Sequence, residues 1–358
     1  MDFSLFYFAN DSGTAEDDRY RLLLDGARFA DEHGFHAVWT PERHFHHFGG
    51  TYPNPSVTSA AIASTTSRIK IRAGSVVAPL HHPLRVAEEW SVVDNLSHGR
   101  AGVSFASGWH ATDFALDPST YADRRTVMYE RVEQVRALWR GEPVDVADGM
   151  GNPAKVRSFP PPVQAELPVW ITSVGDVETF RSAGRIRAGL LTHLLGQSPD
   201  QLAEKIAEYR KAAAEASEDG WPGHVVVMVH TFLGDDNEAV RELVRPSLTD
   251  YMRSSLSLIL TSDLSSEPEG PGSLDPDEID FLVERSFEHY FNNVGLLGSV
   301  DKAKEVVARL TELGVDEIAC LIDFGLPADE VLSGLTHLRR LRDACDAGDA
   351  EQDGSTSQ

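Results

Sequence analysis

The segment F-H-A-V-W-T-P-E-R-H-F-H-H-F-G-G-T-Y-P-N-P, residues 35–55, joins a short apolar run to a strongly polar loop. The run at 35–39 predicts a buried parallel strand. The loop after it contains a carboxylate, an arginine and three histidines before Gly-Gly and two prolines interrupt the chain. In α/β proteins the loops at the carboxyl ends of parallel strands carry the chemistry. The segment therefore predicts an α/β fold and marks its functional edge.

Short apolar runs alternate with longer amphipathic runs throughout the chain. The apolar runs predict these strands: Phe3–Ala9, Ala37–Thr40, Ile69–Val77, Ala101–Ala106, Val169–Ser173, Ala188–Leu194, Val225–Phe232 and Glu317–Ile322. The amphipathic runs predict these helices: Asp17–His33, Ser56–Thr66, Pro83–Leu96, Ala122–Arg140, Val177–Arg185, Pro199–Ala216, Asn237–Arg253, Val300–Leu313 and Ala328–Ala347. Strands that are each followed by a helix, in this number, predict a single (β/α)8 TIM barrel.

Three segments depart from this alternation. Val144–Pro168 is rich in proline and glycine, which predicts an insertion before strand 5. Ser254–Pro276, with S-S-E-P-E-G-P-G-S, predicts a mobile acidic loop after strand 7. We expect residues 1–345 to form the barrel domain and residues 346–358 a disordered tail.

Composition excludes several classes of protein. The chain has 358 residues, 41% of them hydrophobic, and a formal net charge of −24. Without a basic cluster it has no face for nucleic-acid phosphates. The two cysteines, Cys320 and Cys345, are not in a metal or disulfide pattern. The N-terminus does not resemble a signal peptide, and no run approaches the roughly 18 apolar residues of a membrane span. These features predict a cytoplasmic protein that binds neither nucleic acid nor membrane.

The histidines of the opening loop allow several kinds of chemistry. His44, His46 and His47 are each able to act as a general base, as a hydrogen-bond donor to a developing anion, or as a metal ligand. A metal site would need further ligands from other strand ends, and other histidines lie near such ends: His81, His82, His110 and His193. Plain hydrogen bonding to loop backbone is the alternative for each of them. The sequence alone leaves these possibilities open.

Two further segments suggest that a ligand approaches the backbone. Gly74-Ser75 interrupts a β-branched strand, which predicts a bulge, a ligand against the backbone, or an ordinary barrel-interior glycine. Residues 106–108 end strand 4 with small side chains, and Trp109 follows, able to stack on a flat ligand or to join the core.

A third segment suggests an anion site. In W-I-T-S-V-G-D-V-E-T-F, residues 170–180, a strand end and a small-polar turn precede a helix, whose N-terminal N–H groups attract phosphate. Asp176 is equally well explained as the N-cap of that helix.

Taken together, the chain resembles the bacterial luciferase-like flavin monooxygenases, in particular the subgroup associated with nonribosomal-peptide and polyketide assembly lines. The resemblance extends from Met1 to about Arg342. It rests on four segments in order: P-E-R-H-F-H-H-F-G-G with P-N-P after it, R-A-G-S-V-V-A-P-L-H-H-P-L-R-V-A-E-E-W-S-V-V-D-N-L-S-H-G-R, S-F-A-S-G-W-H, and L-T-H-L-L-G-Q.

The resemblance implies a two-component reaction. Reduced FMN, delivered by a separate flavin reductase, would bind at the carboxyl ends of the strands. Oxygen would add to flavin C4a, and the resulting peroxyflavin would oxygenate a natural-product intermediate, either free or tethered to a carrier protein. A homodimer is expected, without a metal.

The resemblance also assigns site residues. The E-x-H-F element corresponds to Glu42, His44 and Phe45, with His44 as acid/base or peroxide-stabilising group. A non-prolyl cis peptide is implied at Gly74-Ser75, beneath the flavin ring. The remaining contacts that it implies are Ala106 and Ser107 beside the ring, Arg124 (with Arg125 as a rival) at the phosphate, backbone donors of Ser173, Val174 and Gly175, and Thr192 and His193 at the strand 6 end. Because the family has an arginine where this chain has Ser107, one cationic contact is missing.

Other functions fit the same barrel. Hydride transfer with deazaflavin F420 is the first alternative. A non-catalytic partner subunit and a metal-dependent hydrolase are the others.

Overall fold

The computed structural model describes residues 1–8, 18–263 and 276–355. Parallel strands close into a barrel in the order β11-β1-β2-β3-β4-β7-β8-β9, and β9 pairs with both β8 and β11 to complete the ring. The predicted (β/α)8 TIM barrel is confirmed. The strands are β1 Asp2–Phe6, β2 Ala37–Thr40, β3 Lys70–Val77, β4 Ala101–Ala106, β5 Val144–Ala147, β6 Pro153–Val156, β7 Val169–Thr172, β8 Gly189–His193, β9 Val225–Gly234, β10 Leu296–Ser299 and β11 Glu317–Leu321.

Helices cover the outside of the ring. They are α1 Arg21–Glu32, α2 Pro55–Thr65, α3 Pro83–Ser97, α4 Arg124–Trp139, α5 Val177–Arg185, α6 Pro199–Glu215, α7 Asn237–Asp263, α8 Pro276–Asn293, α9 Val300–Glu312 and α10 Ala328–Ser355. Their starts follow known sequence rules. Asn54 caps α2 by accepting hydrogen bonds from the backbone N–H groups of Ser56 and Val57, with Pro55 in the first turn. None of the described helices is long and apolar enough to cross a membrane.

The acidic loop predicted at Ser254–Pro276, after the strand that is β9 in the structure, is partly wrong. Residues 254–263 continue α7, and residues 264–275 lie outside the described part of the chain. Two elements were not predicted from the sequence: α8, and β10, a short strand that pairs with the end of β9. The predicted insertion contains an antiparallel hairpin of β5 and β6. The last helix continues to Ser355, past the predicted domain boundary at residue 345, so residues 346–355 are helical where a disordered tail is predicted.

A buried ion pair occupies the lower barrel interior. The Arg72 guanidinium lies between the Trp39 and Trp170 rings, 4.9 and 4.3 Å from their centroids, and Nη1 is 2.7 Å from Glu317 Oε2. Trp39 Nε1 donates to Glu317 Oε1 at 2.8 Å, and Ser4 Oγ donates to it at 2.5 Å. Burial alone would raise the pKa of Glu317, but Arg72 and nearby histidines lower it to about 2. This layer fills the lower barrel and leaves the carboxyl ends of the strands for the site.

Candidate active site

A carboxylate and two imidazoles form the centre of the opening loop. Glu42 Oε1 accepts hydrogen bonds from His44 Nε2 at 2.8 Å and from His81 Nε2 at 2.5 Å. Its other oxygen accepts the backbone N–H of Val77 at 2.7 Å. Glu42 is buried, His44 is half-buried, and His81 belongs to the loop after β3. The structure thus brings the predicted pair Glu42 and His44 together and adds His81.

These contacts set the charges of the cluster. Burial opposes ionisation of Glu42, yet the hydrogen bonds from His44, His81 and Val77 lower its pKa below the ordinary value. Burial would likewise lower the pKa of His81, but the hydrogen bond to Glu42 and its charge raise it. A neutral His44 that donates through Nε2 carries its lone pair on Nδ1. That nitrogen is the one able to accept a proton.

The same atoms offer a possible metal site. One ligand atom from each of Glu42, His44 and His81 lies within 4.8 Å of the others. Two imidazoles and a carboxylate are a common divalent-metal set. In this structure, however, both Nε2 atoms face the carboxylate oxygen as hydrogen-bond donors.

The wall beside this cluster is formed by β3 and β4. The Gly74–Ser75 peptide is cis, as the resemblance implies, and the β3–β4 register shifts between Gly74 and Val76, which confirms the bulge. Ser75 Oγ lies 2.5 Å from Thr172 Oγ1, which is 2.7 Å from Ser104 Oγ. A chain of hydroxyl groups therefore connects β3, β7 and β4 across the upper barrel. Ala106 and Ser107, at the end of β4, are half-buried.

Of the predicted phosphate-binding residues, the Ser173–Gly175 turn and Arg125, the rival of Arg124, lie together at one side of the barrel mouth. Arg125 Nη1 lies 3.3 Å from Asp176 Oδ2, and Asp176 also caps α5 by accepting the Glu178 N–H. Arg124 is directed elsewhere, with Nε donating to the Gly108 carbonyl at 3.3 Å. Lys205, which the sequence analysis missed, donates to the Val174 carbonyl at 2.9 Å.

The Ser173–Gly175 turn has free space at Gly175. A Cβ added to Gly175 would meet no atom within 4 Å. Ser173 N–H is engaged with the Leu191 carbonyl at 3.0 Å. Two cations lie beside this turn: Arg125 of α4, which contacts Asp176, and Lys205 of α6, which contacts Val174.

The opposite wall carries histidines on β8 and β9. His193 accepts the Leu195 N–H through Nδ1 at 3.2 Å, and burial lowers its pKa to about 4. His230 is buried in the interior of β9, and burial together with the charge of His193 lowers its pKa to about 3. Thr192 alternates to the other strand face from His193, and its Oγ1 accepts from Gln197 Nε2 at 3.2 Å.

A buried carboxyl ends β11. Asp323 Oδ1 accepts the Phe8 N–H at 2.6 Å, and Oδ2 accepts the Tyr52 hydroxyl at 3.1 Å. Burial raises the pKa of Asp323 to about 7 against both hydrogen bonds. Neither Asp323 nor His230 was predicted from the sequence, although Asp323 lies just past the end of β11 and His230 pairs with Leu321, the last residue of that strand.

Comparison with known proteins identifies the family of this chain. The sequence model of the luciferase-like monooxygenases matches residues 1–317. The chain belongs to the luciferase-like monooxygenase family. It is therefore an enzyme of a flavin-dependent oxygenase family, as the sequence resemblance implies.

Two relatives illustrate the family. The oxygenase component of flavin-dependent trigonelline monooxygenase from Acinetobacter baylyi is 26% identical over 247 residues, 66% of this chain and 66% of the relative. The 4-hydroxyprotoasukamycin monooxygenase of Streptomyces nodosus subsp. asukaensis is 27% identical over 305 residues, 81% of this chain and 76% of the relative.

Solved structures share the fold. Monooxygenase RslO1 from Streptomyces bottropensis has a TM-score of 0.75 at 22% identity, covering 95% of this chain and 98% of that protein. An F420-dependent secondary alcohol dehydrogenase has a TM-score of 0.68 at 18% identity, covering 95% and 97%. The barrel itself therefore does not distinguish FMN from F420.

The residues present fit a phosphate-bearing flavin. Ala106 and Ser107 place two small, half-buried side chains at the end of β4. Cations meet the open Ser173–Gly175 turn at one side of the barrel mouth, at the N-terminus of α5. The histidine–glutamate cluster lies on the other side of β3, joined to it through Val77.

Proposed function

We propose that this luciferase-like monooxygenase is the oxygenase component of a two-component system. It uses reduced FMN and O2 to oxygenate a natural-product intermediate. The observation that carries the proposal is the Glu42–His44 pair, which is bound through Glu42 Oε2 to Val77, in the strand that contains the cis Gly74–Ser75 peptide. A proton-transfer group is thereby fixed beside the strand that the resemblance places beneath the flavin ring.

Each part of the site has a role in this proposal. Glu42 orients His44 and favours the tautomer with a free Nδ1, which is the group we expect to hold or deliver a proton at the reacting oxygen. The cation set and the backbone N–H groups of Val174 and Gly175 would hold the phosphate; the Ser173 N–H, predicted as a further donor, is bound to the Leu191 carbonyl. The reduced flavin supplies the electrons and the reaction with oxygen.

The partner proteins belong to the proposal as well. A separate reductase would supply reduced FMN; the name of the Acinetobacter relative, an "oxygenase component", supports the presence of a second component. The substrate would be a small molecule, free or bound to a carrier protein. A homodimer is supported by exposed apolar side chains on α2, α3 and the neighbouring insertion: Val57, Val92, Leu96, Phe159 and Val163. Light scattering on the purified chain measures that state.

Rapid mixing tests the proposal. The protein loaded with reduced FMN is mixed with oxygenated buffer, and flavin absorbance is followed from milliseconds to minutes. We expect a spectrally distinct oxygen adduct before oxidised flavin appears. Direct conversion to oxidised flavin, at the rate of free reduced FMN, would contradict the proposal.

F420-dependent hydride transfer is the second candidate, because an F420 enzyme shares the barrel. It predicts tight binding of F420 and slow, unassisted reaction of the bound reduced cofactor with oxygen. Titration of both cofactors into the apo protein therefore separates the two functions.

A further inference from the structure

Arg43 is a buried cation that the proposed reaction does not use. It lies between Glu42 and His44 in the opening loop, is 1% exposed, and is paired with Asp113 of the loop after β4. Both carboxylate oxygens of Asp113 contact the same guanidinium nitrogen, Nη1. The ion pair is therefore made end-on and does not use the two-nitrogen edge that arginine normally offers a carboxylate.

The rest of the guanidinium is enclosed but unpaired. Nε and Nη2 are shielded from solvent and have no hydrogen-bond partner among the residues that the structure describes. The indole of Trp109 covers the guanidinium, with its centroid 5.2 Å from Cζ. Gly49, at φ +82°, packs against the side-chain stem, since an added Cβ would lie 2.9 Å from Cγ. Neighbouring groups thus fix the side chain, while its Nε–Nη2 edge makes no hydrogen bond with the described residues.

Buried donors without acceptors are rare, because the lost hydrogen bonds to water are not replaced. His110 Nδ1 is also buried without a partner in the described part of the chain. Burial and the charge of Arg43 lower the pKa of both His110 and His46. These imidazoles are neutral near pH 7, so Arg43 is the only full positive charge among these three side chains.

We infer that the Nε–Nη2 edge of Arg43 is a binding fork for a planar, delocalised anion, and that the substrate is a carboxylate-bearing compound. Two parallel N–H donors match the two oxygens of a carboxylate in geometry and charge. Arg43 directly precedes His44, so a carboxylate held here places the rest of the substrate beside the proposed proton-transfer group. Trp109, the indole that covers the guanidinium, is 43% exposed, so a ligand that displaced it would reach Arg43 from solvent. The assignment to the substrate rests on the proposed function; the anion binding does not.

The reduced flavin itself is a second possible ligand for the Nε–Nη2 edge of Arg43. The N1–C2 carbonyl edge of reduced flavin is also a planar anion with two acceptor atoms. The experiment therefore has one arm for a carboxylate and one for the flavin.

In the first arm, benzoate and its neutral isostere benzamide are titrated into the flavin-free full-length protein by calorimetry. We expect benzoate to bind at least tenfold more tightly than benzamide. Arg43→Lys keeps a charge for Asp113 but removes the fork, so benzoate affinity falls at least tenfold. Asp113→Asn, the matched control, keeps the fork and retains benzoate binding. If Arg43→Lys does not fold, NMR of the wild-type arginine Nε–H signals replaces it, and we expect benzoate to shift one of them.

In the second arm, the affinities of oxidised and reduced FMN are compared in wild type and Arg43→Lys. A tenfold loss confined to reduced FMN, with no benzoate binding, assigns the fork to the flavin and overturns the substrate class. The absence of any Arg43-dependent change in both arms overturns the fork itself. Neither binding measurement depends on oxygenation, so a failure of the proposed reaction is distinguishable from a failure of the proposed anion site.

Discussion

His81 Nε2 donates to Glu42 Oε1 at 2.5 Å, although the two residues follow neighbouring strands and are 39 positions apart. The contact fixes the loop after β3 against the loop after β2. It also joins a second imidazole to the carboxylate that orients His44. Glu42 is therefore expected to control the protonation of both histidines.

Glu42→Gln tests whether Glu42 determines the protonation of His81. Because Glu42 raises the pKa of His81 against the effect of burial, the substitution should lower that pKa, which an NMR titration of the His81 ring measures. A raised histidine pKa stabilises the fold below the unfolded pKa, and this contribution is lost as pH rises through the folded value. The variant should lose that part of the pH dependence. Glu89→Gln is the control, since Glu89 acts on His81 only through its charge; an equal shift in both variants would contradict the role of Glu42.

Thr172 holds the hydroxyl chain of the upper barrel. Thr172→Val removes the partner of both Ser75 and the fully buried Ser104, so we expect the free energy of unfolding to fall by about 1–3 kcal/mol. Thr172→Ser keeps the hydroxyl and should lose much less. Denaturant unfolding measures both, and equal losses would show that the methyl group, not the hydroxyl, is what matters.

The Arg72–Glu317 pair should dominate the stability of the lower barrel. Glu317→Gln leaves the arginine charge buried between two indoles, which is expected to cost about 3–5 kcal/mol. The pKa of Glu317 is depressed to about 2, so the wild-type contribution is present above the unfolded value and is lost as pH falls from about 4.5 towards 2. Urea unfolding at pH 7 and pH 3 checks both statements. A variant as stable as wild type at pH 7 would contradict them.

Asp323 should give the opposite pH dependence. Its pKa is raised to about 7 by burial, so the folded protein holds a proton that the unfolded chain releases near pH 4. Stability should therefore fall as pH rises from about 4 through 7. Asp323→Asn keeps an acceptor for the Phe8 N–H and should remove this slope, which melting temperatures between pH 5 and 8 will show. Parallel slopes in variant and wild type would mean that Asp323 is ionised in the fold.

Most strands and helices of the barrel were predictable from local sequence, because buried parallel strands have apolar runs and surface helices have amphipathic ones. β10 was missed because four residues, L-L-G-S, carry no periodic signal. α8 does carry one, a proline followed by Asp277 and Glu278 at its start, but it adjoins the acidic segment that the sequence analysis interpreted as one loop.

The residues of the candidate site were likewise predictable only in part. Glu42 and His44 are close in sequence, so their pairing was predictable. His81 and Asp113 reach this loop from other strand ends, and Lys205 reaches the Ser173–Gly175 turn from a helix, so only tertiary packing brings them there. The missing cation at Ser107 was visible in the sequence, but the position of Lys205 was not.

The central claim is that His44 serves the reaction of the reduced flavin with oxygen. Its most direct test is rapid mixing of reduced-FMN complexes with oxygen for wild type, His44→Ala and His47→Ala, the last a control in the same loop that is exposed in the structure. We predict that His44→Ala retains flavin binding but lowers the yield or lifetime of the oxygen adduct by about 10²–10⁴-fold, the usual contribution of a general acid–base group, while His47→Ala resembles wild type. An adduct of unchanged yield and lifetime in His44→Ala, with flavin bound, would contradict the claim.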